Sequence, residues 1–133
     1  MRLCVRAVLV EDGFVLVHQT KRGPRLYGGK VERGESPQNA LVREIDEELQ
    51  LRVDVGPLVA AWRSRKGLEL AFQVHPIQPV GRSLKHPRMC WMPAGMLPSV
   101  LLPGRGERVV YTTLDDRDGL ERLHIRERLR MVG

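Results

Sequence analysis

The chain has 133 residues, with 22 Lys plus Arg against 16 Asp plus Glu and a formal net charge of +6. That length excludes two full domains and leaves room for one with a real core, so residues 1–133 are read as a single domain. No run approaches the roughly 18 apolar residues that a membrane-spanning helix needs, and the opening MRLCVRAVLV, broken by Arg6, lacks the small-residue cleavage site of a signal peptide. A cytoplasmic protein is expected. Cys4 and Cys90 show neither C-x-x-C nor scaffold spacing and read as buried apolar side chains in a reducing compartment.

In chain order, Leu3 to Val10 and Phe14 to His18 are β-rich runs separated by Glu11-Asp12-Gly13, which predicts two strands joined by a turn. The stretch TKRGPRLYGGKVERGE is rich in Gly and charge and reads as a long loop, the kind of segment that carries function in a small domain. Ser36-Pro37 predicts a helix start, with the hydroxyl as cap and proline in the first turn, and the helix is expected to run to about Leu49. Leu51 to Val55, Leu58 to Ser64 and Leu68 to Ile77 are β-like, with Arg65-Lys66-Gly67 as a hairpin turn. From Gln78 to Gly106, Pro and Gly predict irregular structure with one helical turn and Trp91 as an aromatic anchor. The tail LERLHIRERLRMVG fits a helix or a strand. Strands on both sides of a central helix imply a mixed α/β domain.

The acidic residues are concentrated where that helix lies. At 100° per residue from Arg43, Glu47 falls near 40°, Glu44 near 100° and Glu48 near 140°, while Leu41, Ile45, Leu49 and Val42 occupy the next sector as a core face. Glu44 meets Glu47 and Glu48 as (i, i+3) and (i, i+4) neighbours, where unpaired like charges cost about 0.2–0.5 kcal/mol per pair. Arg43 can neutralise one of them, and a single guanidinium is not expected to serve all three. A divalent cation can, and hard carboxylate oxygens select Mg²⁺, with Mn²⁺ as the alternative, while leaving coordination places for water and phosphate. Gly28 and Gly29 permit close backbone approach, Lys30 follows, and Glu35 is placed to orient Arg43. The competing reading is a solvated acidic face balanced by basic residues elsewhere.

These residues carry a resemblance. Gly29, five residues, Glu35, seven residues, then Arg43-Glu44-Ile45-Asp46-Glu47-Glu48-Leu49-Gln50-Leu51 resembles the Nudix box, G-x5-E-x7-R-E-U-x-E-E-x-G-U with U aliphatic. Six fixed residue types coincide, a match expected by chance about once in ten million at average residue usage. Gln50 stands where the box has glycine, so the helix stop is expected to shift with the metal site intact. The resemblance implies a Nudix α/β/α sandwich with a central mixed β-sheet, and a hydrolase that cleaves a nucleoside diphosphate linked to another moiety. It implies Gly28, Glu44, Glu47, Glu48 and a late-loop carboxylate, best matched by Glu107, as metal ligands. Glu44 is the first choice for polarising the attacking water and Glu47 the second; Lys30 would neutralise the leaving phosphate, and Glu35 with Arg43 would brace the helix.

Tyr27 before the two glycines, and Cys90-Trp91 followed by Leu97-Pro98, look like the MutT-like branch that acts on oxidised purine nucleoside triphosphates. Pro103-Gly104-Arg105-Gly106 stands where that branch has its purine-reading acids. Tyr27 and Trp91 are therefore candidate base contacts, Arg25 a candidate phosphate contact beside Lys21 and Arg22, and Met89, Met92 and Met96 candidate pocket walls. The histidines, His18, His75, His86 and His124, lack ligand spacing. The expected partner is a small nucleotide, met by a monomer or homodimer. The alternatives are hydrolysis of ADP-ribose or a dinucleoside polyphosphate, hydrolysis of 5′-triphosphorylated RNA along a basic track from Arg63 to Arg88, and a non-catalytic nucleotide-binding domain.

Overall fold

The computed structural model describes residues 2–65, 67–78, 87–97 and 100. Its elements are β1 (Arg2–Glu11), β2 (Phe14–Thr20), β3 (Gly23–Arg25), β4 (Gly28–Lys30), α1 (Pro37–Leu49), β5 (Val53–Ser64), β6 (Gly67–Pro76), β7 (Met89–Pro93) and a 3₁₀ turn (Ala94–Met96). The strands form a mixed sheet in the order β3-β2-β1-β6-β5, with β4 added to β1 and β7 to β2. β1 pairs in parallel with β6 and antiparallel with β4 over Cys4 to Arg6, then with β2 at Val10 and Glu11. A strand in that position is covered on both faces, which explains its nearly unbroken apolar run.

Side-chain alternation along β1 divides the core in two. Val5, Ala7 and Leu9 face α1 and pack with Leu41, Ile45, Leu49 and Phe72. Val8 and Val10 face the other way and pack with Val15, Val17, Trp62, Leu97 and Val100. Among the described residues α1 is the one α-helix longer than a turn, so one helical layer of the expected sandwich is in view, and none of their helices is long and apolar enough to cross a membrane.

The first hairpin and α1 form where the sequence predicts them. Asp12 and Gly13 take φ of 50° and 80°, the paired left-handed values of a two-residue turn whose twist suits the strands. The Ser36 hydroxyl accepts from the Asn39 N–H at 3.1 Å, with Pro37 opening the helix. Full burial of Leu41, Ile45 and Leu49 contributes about 1.5–3 kcal/mol each.

Several expectations are corrected. The glycine-rich stretch is not wholly a loop, because it adds β3 to β2 and β4 to β1. The predicted strands 51–55 and 58–64 are one strand, β5, whose register shifts around Gly56-Pro57, where proline cannot donate to the ladder. The irregular stretch after residue 78 contains β7, which satisfies its backbone groups against β2 from Phe14 to His18. Cys90 on that strand is exposed, whereas Cys4 is buried as expected. Val42 is 37% exposed and lies outside the core face. The helix stop does not shift: Gln50 itself adopts the left-handed conformation, φ 51°, and its side chain donates to the Glu47 carbonyl at 3.0 Å. The tail from residue 101, with Glu107, Pro103 to Gly106 and His124, lies outside the described residues, as does His86.

Candidate metal and nucleotide site

The site lies where β4 runs beneath α1. A Cβ added at Gly29 would stand 2.5 Å from the Glu44 carboxylate carbon, so a glycine there lets that carboxylate rest on the strand backbone. Gly28, at φ 152°, has the Val5 carbonyl oxygen in the place a side chain would take, which fixes the close approach of β4 to β1.

Arg43 organises the exposed side. Its Nε donates to Glu35 Oε2 at 2.7 Å and its Nη2 to Glu35 Oε1 at 3.0 Å, a bidentate pair. Nη2 also donates to the Lys30 carbonyl at 3.1 Å, tying α1 to the end of β4. Nη1 donates to Glu44 at 3.1 Å and to Glu47 at 3.3 Å. One guanidinium thus reaches two of the three clustered carboxylates as well as Glu35, more than the helical wheel suggested, because its planar fork spans both sides of the helix. The Glu35 carboxyl is held below its ordinary range by the Arg43 hydrogen bond and then by the Glu32 N–H, and Arg43 in turn is held more firmly protonated, chiefly by Glu35.

Glu48 lies outside the reach of that fork. Burial first, then a hydrogen bond and the charge of Glu44, push its carboxyl up to about 7, while Arg6 and the Gly28 N–H pull it back. The same burial, with the Glu48 charge behind it, raises the Tyr27 hydroxyl. Two neighbouring carboxyl groups beside a glycine backbone are hard oxygen donors, of the kind that suits Mg²⁺ or Mn²⁺. Among the described residues no three metal-ligating side chains already converge. Glu47 turns outward to Arg43, and its side chain is 60% exposed. By the chemistry of their oxygens, Glu44, Glu47 and Glu48 are the residues that would hold a divalent ion.

The other expected site residues are less uniform. Lys30 is exposed at the end of β4, and Arg25 is exposed on β3 opposite His18. Tyr27 is 7% exposed; it stacks on His18 with ring centroids 5.2 Å apart and belongs to the core beneath α1 rather than to an open surface. Trp91 packs against the same core, and the buried Tyr27 hydroxyl and Trp91 Nε1 have no hydrogen-bond partner among the described residues. The three methionines do not form one wall: Met89 packs on the α1 side, Met92 on the opposite face, and Met96 is exposed.

Sequence reasoning missed Arg6 and Glu69, whose ion pair joins β1 to β6 at 2.9 Å below the site. The available signal was the interruption of two apolar runs by opposite charges, but the parallel pairing that brings them together is not written in either run.

Comparison with known proteins agrees with this geometry. The NUDIX domain matches residues 1–107. A Mycobacterium tuberculosis protein named "Putative 8-oxo-dGTP diphosphatase 2" is 34% identical over 110 residues, which cover 74% of this chain and 78% of that one. Among solved structures, the E. coli ORF135 protein superposes with a TM-score of 0.58 at 27% identity, covering 77% of this chain and 81% of its own. An ADP-ribose pyrophosphatase from Streptococcus suis shares the fold, with a TM-score of 0.55 at 20% identity over 70% of this chain and 74% of its own. A glycine-fronted helix that carries Glu44 and Glu47 under Arg43 and Glu48 beyond its reach, in a chain matched over most of its length, belongs to a Nudix hydrolase, an enzyme of the family that cleaves phosphoanhydride bonds.

Proposed function

We propose that the protein is a Mg²⁺-dependent pyrophosphohydrolase that converts a nucleoside triphosphate, oxidised purine forms included, to the monophosphate and pyrophosphate. The observation that supports the reading is the pairing of Glu44 against Gly29 with Glu48 at its flank, an acidic cluster in which one guanidinium is shared among Glu35, Glu44 and Glu47 and does not reach Glu48. Support for the triphosphate comes from the M. tuberculosis relative and its name, and from Tyr27 ahead of the glycines.

The Gly28 carbonyl, Glu44, Glu47 and Glu48 would hold the ion, with Glu107 as the proposed additional ligand. When bound, the ion cancels charge on the phosphates and makes water a better nucleophile at neutral pH. Glu44 takes the proton of the attacking water as its oxygen bonds to phosphorus and the anhydride P–O electron pair departs with pyrophosphate; Glu47 is the second candidate for that proton. Lys30, exposed beside the cradle, offsets the charge of the leaving group, and Arg25 meets the phosphate chain from β3. Glu35 and Arg43 keep the helix and the end of β4 in register so that nucleophile and leaving group stay in line.

The test is hydrolysis with Mg²⁺ over dNTPs, oxidised dGTP, ADP-ribose, diadenosine polyphosphates and 5′-triphosphorylated RNA, with products resolved. A triphosphate yielding monophosphate and pyrophosphate is the expected result. Cleavage confined to ADP-ribose or to a dinucleotide would move the substrate to another class, and nucleotide binding without turnover would remove the chemistry.

A further inference from the structure

The Arg6–Glu69 pair has no part in the chemistry just described, yet it sits against the strand that carries Gly28. Both side chains point to the sheet face opposite α1, Arg6 in line with Val8 on β1 and Glu69 in line with Ala71 on β6, and they are 18% and 13% exposed. Arg6 Nε donates to Glu69 Oε1 at 2.9 Å, and Arg6 Nη1 donates to the Leu26 carbonyl at 3.4 Å. Register places Arg6 opposite Gly28, whose missing Cβ would fall 3.0 Å from the Arg6 Cα. The next residue along, Ala7, donates its N–H to the Tyr27 carbonyl at 2.8 Å. Leu26, Tyr27 and Gly28 are thus each fixed to Arg6 or its chain neighbours. Replacing so buried an ion pair with apolar side chains is often neutral or stabilising, so stability of the sheet does not account for its presence.

We propose that Arg6 is a positioning residue for the backbone at Gly28, and that Glu69 serves to hold Arg6 in place and to cancel its charge. The inference rests on the reading of Gly28, Glu44, Glu47 and Glu48 as a divalent-metal cradle. An isolated guanidinium at this place would repel an ion bound there, because Arg6 stands directly opposite Gly28 in the β1–β4 pairing. Glu69 removes that repulsion and leaves the geometric function. The two influences of Arg6 have opposite signs, which makes them separable. By charge alone, Arg6→Met tightens cation binding, since it deletes a positive charge and bares Glu69; by position, it loosens binding, since the Leu26 to Gly28 segment loses its clamp.

The experiment is Mn²⁺ binding by electron paramagnetic resonance on the full chain, wild type and Arg6→Met, with thermal unfolding in EDTA alongside. Loss of an outer partner of a metal ligand weakens binding by roughly 10–100-fold, and that is the expected change for Arg6→Met in folded protein. Glu69→Gln keeps an acceptor for Arg6 and removes the cancelling charge, so it is expected to weaken Mn²⁺ by a few-fold with the metal-free Tm little changed. If Arg6→Met does not fold, Arg6→Gln carries the same test. Unchanged or tightened Mn²⁺ affinity in the Arg6 variant overturns the proposal. A wild-type protein that binds no Mn²⁺ overturns instead the reading of the cradle itself.

Discussion

Two arginines hold the segment around β4 from opposite sides of the sheet, and they do so differently. Arg43 comes from α1, lies near the surface, and spends its fork on Glu35, Glu44, Glu47 and the Lys30 carbonyl. Arg6 comes from the central strand, is more enclosed, and answers to a single carboxylate and the Leu26 carbonyl. The outer arginine bonds directly to the clustered acids of α1, whereas the inner one stands beside Gly28 and is neutralised there by Glu69. The difference teaches that positive charge near an acidic cluster takes two forms. One is a brace bonded to the clustered acids themselves, and the other is a support screened by a carboxylate of its own.

The largest effect is expected on the outer side. Glu47→Gln should lower turnover by at least about a hundredfold, near 3 kcal/mol of barrier, while leaving Tm almost unmoved because the side chain is exposed. Steady-state kinetics with a parallel melting curve reads both, and unchanged turnover would remove this helix from the chemistry. Arg43→Met comes next. It frees Glu44 and Glu47 from their partner and releases the Lys30 carbonyl, so Tm in EDTA should drop by several degrees, with a larger Mg²⁺-induced recovery than in wild type. Equal recovery in both proteins would show that guanidinium and ion do not compete.

A pH series sharpens the inner side. Glu48 titrates near 7 in the metal-free fold against an ordinary 4.5, so the native state holds a proton that the unfolded chain has released between those values. Stability from this group is complete below about 4.5 and is lost as pH rises through 7. Tm in EDTA should therefore fall from pH 5 to pH 8, while the Mg²⁺-induced increment grows over the same window as the carboxylate is vacated; a flat increment would exclude Glu48 as a ligand. The smallest effect concerns the helix end. Gln50→Gly relieves a left-handed conformation that disfavours side chains but loses the hydrogen bond to the Glu47 carbonyl, for a net gain of about 0.5 kcal/mol in chemical denaturation.

The sequence made the acidic half of this arrangement readable, and the reason is physical. Ser36, Pro37 and the spacing of Glu35, Arg43, Glu44, Glu47 and Glu48 act over a few residues along one helix, where periodicity alone sets who meets whom. Arg6 and Glu69 meet through a parallel pairing between strands far apart in the chain, and no local pattern encodes such a partner. The short strands β3, β4 and β7 were hidden for a related cause. They are only three to five residues long and each carries a Gly or a Pro, and they are strands because β1 and β2 offer unpaired edges. Gln50 was misjudged because a broken rule at one residue was expected to move the helix end, when the mild cost of a left-handed residue was smaller than the cost of unmaking a turn.

The parallel ladder that sets Arg2 beside Gly67 and Leu9 beside Val74 also dictates when the molecule can assemble. β1 leaves the ribosome well ahead of β6 and has no lasting partner on that edge until the chain beyond residue 74 has emerged. Closure across so long an intervening segment is entropically costly and kinetically slow. Until then the apolar run Val5 to Val10 is exposed as nascent chain, a target for whatever holds unfinished proteins in solution.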